Sequence, residues 1–153
     1  MCTTTRSSRA SLPATLTSGR LARRFLNEHW CTPHCSADLD QARLLITELV
    51  SNAVRYGGPP ITVEVECIGP EGVLLSVSDG SDEDPPAPRV ADPHALGGRG
   101  IHLIDHLSDE WGVQHPHHLA GGQHHHQNGA NDASAGVSTG KTVWCRLVPA
   151  GIS

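Results

Sequence analysis

The chain has 153 residues, a formal charge of −5, a pI near 6.1 and a hydrophobic fraction of 37%, with the apolar deficit concentrated in the first ten or so residues and in roughly 115–139. That length suits one domain with its own core, and the acidic balance argues against a nucleic-acid binder, which would carry a basic stripe. No apolar leader opens the chain, and its longest aliphatic runs, Leu44–Ile46 and Val73–Leu75, are core-sized rather than membrane-sized, so a cytoplasmic protein without membrane contact is expected.

Residues 1–11, rich in Ser, Thr and Arg, are expected to form a disordered tail, followed by a short edge strand over 12–16. Thr17 or Ser18 offers an N-cap for a helix reaching about Trp30, with Leu21, Ala22, Phe25 and Leu26 at helical spacing. Ser36 opens a longer helix to about Tyr56, whose apolar stripe is Leu39, Ala42, Ile46, Leu49, Val50 and Ala53. Gly57-Gly58-Pro59-Pro60 stops it.

The period then changes to two. Ile61–Glu66 alternates cleanly, 69–72 makes a turn, and Val73–Ser78 returns as a more buried strand, so the two are expected to form a hairpin. An acidic, proline-rich loop leads to Gly97-Gly98-Arg99-Gly100 and a short helix carrying Ile101, Leu103, Ile104 and Leu107. Glu110–Val113 and Thr142–Val148 read as the last two strands, separated by a low-complexity His/Gly-rich insertion at about 115–139. Helices mixed with hairpins predict an α+β fold, a layer of helices on one face of a mostly antiparallel sheet.

Three places carry chemistry. Glu48 and Asn52 are four residues apart and share a helix face, with Tyr56 on the same line. Asparagine is a poor helix former, and a carboxamide at the core's edge beside a carboxylate suits a hard cation held next to phosphates; an exposed polar pair is the bland alternative. Asp79 ends a buried strand and precedes Gly80. A carboxylate there can accept from an exocyclic amine while glycine lets a planar base approach, although Asp also opens ordinary turns. Gly97–Gly100 opens a helix, where bare backbone N–H groups and the helix N-terminus favour phosphate.

Each signal alone is weak, but their order is specific. Glu48-Leu-Val-Ser-Asn52-Ala-Val-Arg-Tyr56-Gly57, then Val77-Ser-Asp79-Gly80-Ser81, then Gly97-Gly98-Arg99-Gly100-Ile101 resemble the N, G1 and G2 boxes of the GHKL ATPases. Within that superfamily the chain is similar to the anti-sigma-factor serine kinases, the RsbW-like branch of histidine-kinase-like ATPases, from about residue 12 to 149. The resemblance implies the Bergerat two-layer α+β sandwich, ATP and Mg²⁺ as ligands, and a nucleotide lid at 82–97. It further implies that Asn52 ligates Mg²⁺, that Asp79 and Gly80 receive adenine, that Gly98, Arg99 and Gly100 surround the phosphates, that Thr142 lies near adenine and that Glu48 is the general base. A sigma factor or an anti-anti-sigma protein bearing a phosphoacceptor Ser or Thr would be the partner, and homodimerisation is implied by the same likeness. Asp79-Gly80-Ser81 departs from the fuller Asp-x-Gly-x-Gly form.

Two features compete. Ala135–Thr142 nearly spells a P-loop, but a low-complexity stretch precedes it and a strand rather than a helix follows. The histidines at 115, 117, 118 and 124–126 suit Ni²⁺, Zn²⁺ or Cu²⁺ but sit in a Gly/Asn/Ser-rich context with no fixed geometry. Cys31, His34 and Cys35 lack the second cysteine pair of a zinc site, and ordinary loop or partly buried thiols are expected there. The leading expectation is an ATP-dependent serine/threonine kinase acting as an anti-sigma regulator. The alternative is a non-catalytic, nucleotide-responsive protein that sequesters such a regulator, and a metal-storage protein is the third.

Overall fold

A computed structural model describes residues 5–31, 33–34, 36–81, 99–115 and 140–149. The strands are β1 (Thr5–Leu12), β2 (Ile61–Ile68), β3 (Val73–Asp79), β4 (Glu110–Gln114) and β5 (Lys141–Leu147); the helices are α1 (Ser18–His29), α2 (Ser36–Asn52) and α3 (Arg99–Leu107). The expected lid at 82–97, the turn residues Gly97 and Gly98, and the insertion from 116 onward lie outside the described residues.

The strands form one sheet in the order β1-β2-β3-β5-β4, and every pairing is antiparallel. Period-two burial in β2, β3 and β5 turns Val63, Val65, Leu75, Val77, Val143, Cys145 and Leu147 to one face. Ala42, Leu45, Ile46, Leu49 and Val50 of α2, Ala22, Phe25 and Leu26 of α1 and Ile104 of α3 cover that face to make the core. Each fully buried aliphatic side chain contributes about 1.5–3 kcal/mol. This is the two-layer α+β sandwich expected from the sequence.

The amino-terminal segment is a correction. Residues 5–11 are not a tail but most of β1, which pairs with β2 over its whole length, from Thr5 opposite Ile68 to Leu12 opposite Ile61. Composition hides this strand because its partner is the exposed edge of β2, and backbone groups need no apolar side chains to complete a ladder. Only Ala10 and Leu12 reach the core. On the outer face Glu64 accepts from Ser7 Oγ at 2.5 Å and from Arg9 Nη2 at 2.8 Å.

Toward its end α2 changes pitch. Ala53–Gly57 form a π-turn closed by Gly58 N–H donating to the Ala53 carbonyl at 3.0 Å. Gly58 adopts a φ of +127°, and its carbonyl accepts from Gly80 N at 2.9 Å. That bond ties the end of α2 to the end of β3. Among the described residues no helix is long and apolar enough to cross a membrane.

Candidate nucleotide site

Asp79 and Lys141 face each other in register at the ends of β3 and β5. Strand alternation places both on the helix-covered face, continuing the line of Val77 and Val143. Lys141 Nζ lies 3.1 Å from Asp79 Oδ1 and 3.0 Å from Oδ2, and Ser81 N–H donates to Oδ1 at 2.9 Å. Both side chains are 2% exposed. An ionised carboxylate has about four acceptor positions; with these three contacts, one remains for a further donor.

The surroundings are shaped for that carboxylate. A Cβ on Gly57 would stand 2.4 Å from Asp79 Cγ, so the π-turn approaches Asp79 only because residue 57 has no side chain. Gly80 also packs its bare α-carbon against backbone, here the Pro59 carbonyl.

On α2, Glu48 and Asn52 are both half-buried, one turn apart. Asn52 Nδ2 is buried and has no hydrogen-bond partner among the described residues. An orphaned amide is costly, on the order of 1–3 kcal/mol. A half-turn of the carboxamide exchanges its nitrogen and oxygen, so the same position can present Oδ1 to a cation. The donor set therefore fits Mg²⁺, which takes one or two protein oxygens beside phosphate oxygens.

α3 packs on α2, and Gln41 Nε2 donates to the Leu107 carbonyl at its far end. Arg99 and Gly100 are its first two residues, so of the expected phosphate turn only the helix start is described.

Thr142 is a second correction. It lies one residue out of phase with Lys141, on the sheet face away from the helices, where its hydroxyl is 2.7 Å from Ser78 Oγ. It lines a shallow cleft of about 260 Å³ with Leu74, Ser76, Gln114 and Trp144 rather than the Asp79 site. Lys141 is the residue β5 turns toward Asp79, and the sequence reading missed it together with Gly57. Parity counted back from the buried Val143 would have found Lys141, the only lysine in the chain.

No curated protein matches the chain. Among solved structures the fold is similar to that of the RsbU and RsbW domains of Rv1364c from Mycobacterium tuberculosis, with a TM-score of 0.59 and 19% identity. The alignment covers 94% of this chain and 32% of that one, so this chain spans about a third of its length. The model of the histidine kinase-like ATPase domain matches residues 12–122, a span that takes in Glu48, Asn52, Asp79 and the start of α3. By that match, and by the antiparallel sheet with its helical layer, the chain belongs to the histidine kinase-like ATPase domain family.

Proposed function

We propose that this chain binds Mg-ATP and acts as an RsbW-like regulator, phosphorylating a serine or threonine of a partner in a sigma-factor switch. The observation that carries the reading is the orphaned Asn52 amide one turn from Glu48, on the helix whose following turn is tied through Gly58 to Gly80, next to Asp79. Bound ATP would supply the transferable γ-phosphoryl group, and Mg²⁺ on Asn52 Oδ1 would offset the charge on it. Asp79 accepts the adenine amine on its remaining acceptor position. Since the carboxylate is covered, Lys141 or the Gly57–Gly58 turn shifts to admit the base. Glu48 takes the proton of the partner's hydroxyl as that oxygen attacks the γ-phosphorus and the bond to the ADP oxygen breaks. α3 is nine residues, about 13 Å, long and is held at Leu107 beside Gln41. The amides at its other end, the start of α3, would receive the phosphates, as bare N–H groups at a helix N-terminus do.

A second reading draws on the Asp79–Lys141 pair. Lys141 already contacts both carboxylate oxygens; in this reading the pair opens as nucleotide enters, and that opening rather than phosphate transfer gates partner binding. One experiment separates them. The chain is purified with whatever protein accompanies it, Mg-ATP is added, and the partner's intact mass is followed. Gain of one phosphate supports the kinase. ATP-dependent release or capture without any mass change supports the gated binder, and no Mg-ATP binding at all overturns both.

A further inference from the structure

We propose that Cys31, His34 and Cys67 form a Zn²⁺ site at the opposite end of the sheet from the nucleotide site. Cys31 and His34 lie in the connection between α1 and α2, joined in a turn by His34 N–H donating to the Cys31 carbonyl at 3.0 Å. Cys67 belongs to β2, 33 residues further along the chain than His34. Folding brings one ligand atom of each, two Sγ and one ring nitrogen, within 4.8 Å of one another. Cys67 Sγ is 3.9 Å from His34 Nδ1. In a tetrahedral site with Zn–S of about 2.3 Å and Zn–N of about 2.0–2.1 Å, donor atoms stand roughly 3.5–3.8 Å apart. Contraction by a few tenths of an ångström to about 1 Å closes the set on an ion.

The chemistry selects the metal. Thiolates and imidazole suit Zn²⁺ and disfavour Mg²⁺ and Ca²⁺, which take oxygen ligands. On binding, Cys31 and Cys67 each lose a thiol proton to solvent while His34 stays neutral. Two thiolates balance the dication, giving a complex without net charge. That matters because His34 and Cys67 are buried and an unbalanced ion there would be costly. The Trp30 ring meets the His34 ring edge-on at 6.0 Å and limits its rotation. Cys145, by contrast, is held in the core with its thiol pushed up to about 12 by burial, so it stays protonated and serves as packing.

The site staples the α1–α2 connection to the sheet. Cys67 is six residues, about 20 Å, along β2 from Ile61, next to the Asp79 end. The site is therefore separate from the nucleotide chemistry and independent of the functional reading above. Its fourth position is open to water or another ligand.

The test uses the full chain, stripped of metal by a chelator and titrated with Co²⁺, then Zn²⁺. Cobalt bound by thiolate shows sulfur-to-metal charge transfer in the near ultraviolet, which the histidine run at 124–126 cannot produce. One such cobalt per chain, displaced by Zn²⁺, is expected. Cys31→Ser and Cys67→Val, the latter suited to a buried strand position, should abolish the band. Each should weaken Zn²⁺ by more than the roughly 10–100-fold cost of losing an outer-shell partner. Replacing His124, His125 and His126 by Ala should leave the band intact. Should Cys67→Val not fold, Cys31→Ser in the connecting turn gives the same readout, together with the Zn²⁺-dependent rise in melting temperature of the wild type. Cobalt binding without a thiolate band, or a band undiminished in both cysteine variants, overturns the proposal.

Discussion

Lys141 reaches both oxygens of Asp79, at 3.0 and 3.1 Å, inside the interface between the sheet and the helices. A buried pair of this kind is finely balanced: the two ions lose hydration and recover it only through each other and through added hydrogen bonds. Here Ser81 N–H supplies one of those bonds. Removing one partner strands the other. Lys141→Ala is expected to lower unfolding stability by about 3–5 kcal/mol, read by urea denaturation, whereas Thr142→Ala on the outer face should cost well under half of that. Gly57→Ala should act in the same direction as Lys141→Ala, since its methyl would displace the Asp79 carboxylate. Equal costs for Lys141→Ala and Thr142→Ala would contradict the assignment of inner and outer faces.

Asn52 makes the opposite demand. Its Nδ2 has no partner among the described residues, so Asn52→Ala removes an unsatisfied group and substitutes a better helix former. The melting temperature should hold or rise. Mg-ATP affinity should fall at least tenfold, about 1.4 kcal/mol. Calorimetry giving unchanged affinity in the folded variant would remove Asn52 from the cation site.

Glu48 separates chemistry from binding. Glu48→Gln keeps shape and removes the base, so phosphate transfer to the partner should slow by about 10²–10⁴. ATP affinity should be kept or improved as repulsion between carboxylate and phosphates disappears. A variant that transfers phosphate at the wild-type rate would show that the proton goes elsewhere.

β1 gives a pH-dependent prediction. Hydrogen bonding from Ser7 first, then the Arg9 guanidinium, holds the Glu64 carboxyl below its ordinary 4.5, with partial burial opposing them. A carboxylate favoured in the folded state stabilises it above its unfolded pKa, and that contribution is lost as pH falls through the folded value. Amide protection of β1 should therefore weaken below about pH 4.5, while α2 and β3 stay protected. Glu64→Gln should flatten that part of the profile. The effect is modest because the Arg9 side chain is 67% exposed and the pair is screened.

What the sequence determined by itself was local. The three-four spacing from Leu39 to Ala53 and the alternation of Ile61–Glu66 fix helix and strand because those periods are set by backbone geometry within a few residues. The order of Glu48, Asn52, Asp79 and the Gly97–Gly100 turn pointed to the family on the same footing. Tertiary structure decided whatever depends on which segments meet. β1 is a strand because β2 offers it an open edge, not because Thr5–Ser11 has strand composition. Lys141 rather than Thr142 faces Asp79 because a one-residue change of phase in a strand moves a side chain to the other face. Cys67 joins Cys31 and His34 only after β2 folds beneath the α1–α2 connection. A contact between residues 33 positions apart has no period and leaves no mark in the order of the residues.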